Sequence, residues 1–237
     1  MASNLTRKEL LKQDKFAVEA EHTVHYLSEH RKEATRYGII VLVVAVIVAG
    51  VYYYRTMQHS ARQQALGEAM TVANAAVGAT APQPGTPYYP TQAAKDDAVV
   101  KAFTKVASDY GGTEEGYVAE YYLGAKALDA GKVDDARKKF QDVADHANAN
   151  YASLAKLSLA QLDFAENRLP EAEKLVKDLA DHPTDLVSKT QANFLHAQIL
   201  AMSAKPEEAR KIYQQIAQEK SDVSPLAVTA MSELPQK

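Results

Sequence analysis

The densest run of chemically capable side chains is EHTVHYLSEH, Glu21 to His30. On a helix, Glu21, His25 and Glu29 stack at four-residue spacing with His22 beside His25, a nitrogen and oxygen donor set of the kind that holds a divalent cation. A solvated helix face of alternating charge has the same pattern. That plainer reading is preferred, so neither a metal nor a cofactor is assigned. His59, His146, His182 and His196 are isolated. No Gly-rich phosphate loop, nucleophile elbow or HExxH pair occurs. The acid pairs Asp96-Asp97, Asp134-Asp135 and Glu207-Glu208 fall where helices are expected to begin, and there they complement the positive end of the helix dipole without any need for acid–base catalysis. The 237 residues contain no cysteine, which removes thiolate nucleophiles, thiolate zinc sites, disulfides and cysteine-linked lipid anchors. The chain reads as non-enzymatic, and its chemistry is binding.

Charge restricts what is bound. The net charge is −3; residues 1–36 hold 7 basic and 6 acidic side chains, while residues 95–237 hold 18 basic and 23 acidic. An acidic C-terminal region does not suit a polyphosphate backbone, so nucleic acid is not an expected partner.

The elements that would position a binding surface begin with GIIVLVVAVIVAGVYYY, Gly38 to Tyr54, a stretch of 17 residues without a charge. At ~1.5 Å per residue this is about the shortest helix that crosses a bilayer core. Tyr37, Tyr52, Tyr53 and Tyr54 flank it at headgroup level, with Arg36 and Arg55 beyond. The polar lead of 37 residues is too long for the n-region of a cleaved signal, so an uncleaved anchor is expected. Arg31, Lys32 and Arg36 before it outweigh Arg55 and Arg62 after it, which puts the N-terminus inside. The expected organisation is an N-terminal helical segment (1–36, with a capping box at Thr6 and Glu9), an anchor (37–54), a helix to about Ala79 with a Pro-rich loop (55–92), and a helical region (93–237).

From Ala93 onward apolar residues recur at three and four, broken at short Gly or Pro turns, and no stretch alternates with the period of a strand. Aligning the turns places Ala98, Ala136, Ala172 and Ala209 at spacings of 38, 36 and 37 residues. Units of this length that cannot bury their apolar faces alone stack as helical hairpins. In YYLGAKALDAGKVDDARKKF, Leu123 and Gly124 are followed by Ala136 and Phe140 at the tetratricopeptide spacing. Gly124 and Ala136 allow the two helices of a hairpin to approach closely, and Phe140 fills the space beneath the next unit. The next two units offer Leu159, Ala160, Ala172 and Val176, then His196, Ala197, Ala209 and Tyr213. Glu120 and Ala127 replace the usual Trp and Tyr, and no proline closes the unit at Asn148. The expected fold is all-α, a tetratricopeptide-like hairpin solenoid behind a single transmembrane helix.

The order of parts, with about three and a half repeats, resembles the family of the membrane-anchored ancillary subunit of the SecYEG translocon, although the lead here is longer. The resemblance implies a bacterial inner-membrane protein with periplasmic repeats that meets translocon subunits and periplasmic chaperones. An envelope-assembly or cell-division scaffold of the same build, and a repeat domain facing the cytoplasm, stay open beside it. Resemblance to tetratricopeptide solenoids further implies a concave groove lined by the first helix of each hairpin, here Tyr121 and Leu128, then Leu157, Gln161 and Phe164, then Gln191, Phe194 and Gln198. Aromatic anchors with amide side chains suit a peptide or a partner helix.

Overall fold

A computed structural model describes residues 31–78, 87–219 and 221–235. The Glu21 to His30 cluster, the capping box at Thr6 and residues 79–86 of the Pro-rich loop lie outside these. The chain divides into two compact units, Met1–Ser60 and Ala61–Lys237.

Helix α1, Arg31–Ala73, runs through the boundary between them. In the first unit its apolar side chains are exposed all round, Ile39 at 58%, Val41 at 67% and Val48 at 61%. By length and composition this helix can cross a membrane. Past Ala61 it becomes one-sided. Ala65, Leu66, Ala69, Met70 and Val72 pack on Val99, Phe103 and Val106, so this part is the first helix of a hairpin.

The helix stops at Ala73, short of the expected Ala79, because the backbone that follows is recruited elsewhere. Two short strands, β1 (Ala76–Val77) and β2 (Tyr88–Tyr89), pair in parallel, with Ala76 opposite Tyr88 and Val77 opposite Tyr89. Ala76 N–H donates to Pro87 O at 3.2 Å and Gly78 N–H to Tyr89 O at 3.0 Å, which ties the two ends of the Pro-rich loop together.

Among the described residues eight further helices follow: α2 (Gln92–Asp109), α3 (Glu114–Asp129), α4 (Val133–His146), α5 (Ala149–Ala165), α6 (Leu169–Asp181), α7 (Lys189–Met202), α8 (Pro206–Gln218) and α9 (Ser224–Glu233). Helices α2, α3, α5 and α7 begin at side-chain caps, Thr91, Thr113, Asn148 and Ser188, each accepting from a backbone amide of the first turn. Asn148 therefore starts a helix where the repeat pattern would have closed one with proline. Helices α4, α6 and α8 have no such cap. Each follows a left-handed residue, Gly131 (φ 72°), Asn167 (φ 61°) and Ala204 (φ 57°). At these three turns Lys132 N–H donates to Ala127 O (2.8 Å), Arg168 N–H to Asp163 O (2.7 Å) and Lys205 N–H to Leu200 O (2.9 Å), the six-to-one bond of a Schellman turn.

The core repeats four times on the second helices. Val99, Phe103 and Val106 of α2 match Ala136, Phe140 and Val143 of α4, Ala172, Val176 and Leu179 of α6, and Ala209, Tyr213 and Ile216 of α8, all at 2% exposure or less. The period is 37, 36 and 37 residues. This corrects the alignment at the first unit by one residue: Ala98 is only half-buried and Val99 holds the slot. It also corrects Asp96-Asp97, which lie in the second turn of α2, with Lys126 Nζ donating to Asp96 Oδ1 at 3.2 Å. Asp134-Asp135 and Glu207-Glu208 do stand in first turns. With the end of α1 counted, the unit Ala61–Lys237 holds four hairpins and a final helix, α9, over Ala209, Tyr213 and Ile216.

Close approach within the second hairpin depends on Gly124, where an added Cβ would lie 2.8 Å from the Phe140 ring. Phe140 is 1% exposed, and burial of such a ring stabilises by roughly 1.5–3 kcal/mol.

Candidate functional site

Each hairpin touches the next, and the first helices meet directly, α3 on α5 and α5 on α7. The second helices chiefly contact the first helices on either side. Helices that converge on one face and splay on the other curve a stack toward the converging face. Helices α3, α5 and α7 therefore share the converging face of the repeat unit.

Helix α3 carries most of its aromatic character. Its start is fixed by Thr113, which accepts from Gly116 N–H and donates to Tyr110 O at 2.6 Å. A Cβ on Gly116 would lie 2.2 Å from that same carbonyl, so only glycine fits there. Tyr121 rests on Ala136, Phe140 and Leu159. Its ring lies 5.5 Å from Phe140, 5.9 Å edge-on from Tyr122 and 6.0 Å edge-on from Tyr151, and its hydroxyl is 3.4 Å from Ser158 Oγ. Tyr122 stacks on Phe103 at 4.7 Å with the rings nearly parallel. Burial pushes the Tyr122 and Tyr151 phenols upward, so both stay neutral donors at physiological pH.

The other expected groove residues divide into two kinds. Leu157 and Phe164 share one cluster with Ala172, Val176 and Leu195, and Leu157 also reaches Leu179 and Val187. Phe194 packs on Ala197, Leu200 and Ala209, its ring 5.7 Å edge-on from Tyr213. These side chains and Tyr121 are half-buried, each giving part of its surface to the junction between hairpins. Leu128, Gln161 and Gln191 are exposed, and Gln198 is half-buried. Gln191 already has work: its Oε1 accepts from Ser188 N–H at 3.1 Å while Ser188 Oγ accepts from Gln191 N–H at 3.1 Å, a complete capping box.

Tyr122 and Tyr151 were not among the expected residues, yet they extend the aromatic patch around Tyr121. The Tyr-Tyr doublet of α3 was the available signal. No group of three or more metal-ligating side chains occurs among the described residues. Buried Asp163 is clasped by Arg137 (2.7 Å) and Arg168 (2.7 Å), a bond between α4, α5 and the turn that follows it. It binds structure to structure.

A stack of helical hairpins with an aromatic cluster on its first helices defines a repeat protein of the kind that binds other polypeptides. The chain belongs to the tetratricopeptide repeat-like domain family, whose family model matches residues 31–232. Comparisons with curated proteins and with solved structures gave no match.

Proposed function

We propose that the protein is a non-enzymatic scaffold, held in the bacterial inner membrane by Gly38 to Tyr54 with its N-terminus in the cytoplasm and its repeats in the periplasm. There it links the protein translocon with chaperones or exported chains. What supports this reading is the pairing of an all-round apolar helix with a repeat unit whose first helices leave part of Tyr121, Leu157, Phe164 and Phe194 open beside Gln161 and Gln198; the face they share is read as the inner, binding surface. Half-buried rings are held rigid by the core beneath them, so a bound segment gains apolar contact at little cost in side-chain order. The anchor confines the repeats near the bilayer and raises the effective concentration for weak partners there.

Two experiments test this reading. The natural chain has no cysteine, so Lys174→Cys, at an exposed site, is a unique reporter. Labelling of intact spheroplasts by an impermeant maleimide supports periplasmic repeats, and labelling only after lysis overturns them. Photo-crosslinking from position 194 in native membranes is expected to capture translocon subunits, chaperones or newly exported chains. Capture of division or cell-wall proteins keeps the fold and reassigns the role to envelope assembly.

A further inference from the structure

The opposite side of the repeat unit contains a cleft that the inner surface does not use. It lies between α2 and α4, is floored by α3, and has a volume of about 590 Å³. Its origin is visible when the hairpins are compared. The position of Ala127 in the second hairpin is held by Asp163 in the third, where two arginines clasp it, and by Leu200 in the fourth, where it is 2% exposed. In the second hairpin only a methyl group stands there, and the space stays open.

The walls and rim specify an occupant. Val100, Ala107, Leu123 and Ala127 present alkyl surface, and the lining holds four lysines against two carboxylates. Lys139 is tied to Glu120 at 2.6 Å, and Lys126 is neutralised from outside the lining by Asp129 at 2.8 Å and Asp96 at 3.2 Å. Lys132 and Lys138, on the α4 side, form no ion pair among the described residues. A cleft of this volume is in the range of pockets that enclose a large side chain or a small ligand. Lysines at the mouth attract the face of an aromatic ring and pair with carboxylates beside it.

The geometry points to a docking site for an aromatic side chain carried on an acidic segment of a partner protein. The ring takes the space that Leu200 fills in the fourth hairpin, and the flanking carboxylates meet Lys132 and Lys138. This site is separate from the inner surface, so its failure leaves the proposed function standing, and the reverse.

The test uses the full chain in detergent and fluorescence anisotropy of a labelled acidic pentapeptide with a central Trp. Matching peptides with Ala for the Trp, or with Lys for the acids, serve as controls, and laurate is titrated separately as a free anionic amphiphile. Saturable binding of the acidic Trp peptide alone, weakening with salt, is expected. Ala127→Tyr, which fills the slot, should reduce affinity by at least about tenfold while raising the melting temperature, and exposed Lys138→Glu should reduce it about tenfold with the melting temperature unchanged. If Ala127→Tyr does not fold, Lys138→Glu decides the matter. Equal binding of the Ala peptide, unchanged affinity in the variants, or binding of laurate without the peptide overturns the proposal.

Discussion

Gly124 gives up about 1 kcal/mol of helix propensity relative to alanine. Gly124→Ala would recover that amount but drive its Cβ to 2.8 Å from the buried Phe140 ring, and such overpacking costs about 1–3 kcal/mol. Net destabilisation in urea melts is the expected outcome. Ala204 is the opposite case, since it holds a left-handed conformation (φ 57°) that glycine adopts freely at the matching Gly131. Ala204→Gly should therefore stabilise by about 1 kcal/mol in the same assay. His196 occupies the slot of Leu123 and Leu159, its side chain 13% exposed and its Nε2 3.6 Å from Glu173 Oε1. Burial and then Lys177 hold its pKa below the ordinary 6.5, against the opposing pull of Glu173 and Glu208. The folded state thus binds a proton less readily than the unfolded one. The stabilisation is complete above about pH 6.5 and is lost as the pH falls through the folded value. Glu173 and Asp178 are lowered by Lys177 and Lys156, so their contributions fade only at more acidic pH, below the ordinary carboxylate values. The urea midpoint is expected to fall as the pH is lowered below about 6.5, and His196→Leu should flatten that slope.

Among elements, the end of α1 matters most because it is the least obvious. Its residues Ala65, Leu66, Ala69 and Met70 cover Val99, Phe103 and Val106. Deleting residues 61–73 should expose that face, increase binding of a hydrophobic dye and lower the melting temperature. A chain that keeps its stability without them would show that the first hairpin is dispensable. This helix end was hard to read from the sequence because the Pro-rich loop separates it from α2, so no fixed period connects the two halves. The later hairpins were legible because Leu123, Gly124, Ala136 and Phe140 recur in kind at near-constant spacing. The one-residue slip at Ala98 has a simple cause: Ala98 and Val99 are both small apolar residues, and only burial tells them apart. The strands β1 and β2 were invisible because two residues of main-chain pairing leave no period. The slots assigned to the groove also pack on the next hairpin at Leu157, Phe164 and Phe194, and spacing alone does not say how much of each side chain remains open.

At the scale of the whole molecule, each hairpin of the unit Ala61–Lys237 packs mainly on its neighbours. Stability in such a stack is close to a sum of units and junctions. Asp163→Ala, which removes the buried carboxylate between Arg137 and Arg168 while Glu166 still pairs with both, should loosen the junction there by about 1 kcal/mol. Hydrogen exchange is expected to quicken in α4, α5 and α6 while α8 stays protected; a uniform change along the unit would refute nearest-neighbour behaviour. The near-equal period of 36 and 37 residues has a mechanical consequence as well. Pulled from its ends, a row of similar modules yields one at a time, and each release pays out about 120 Å of extended chain. In an optical trap the force trace would be a sawtooth of nearly even teeth, the signature of a molecular shock absorber.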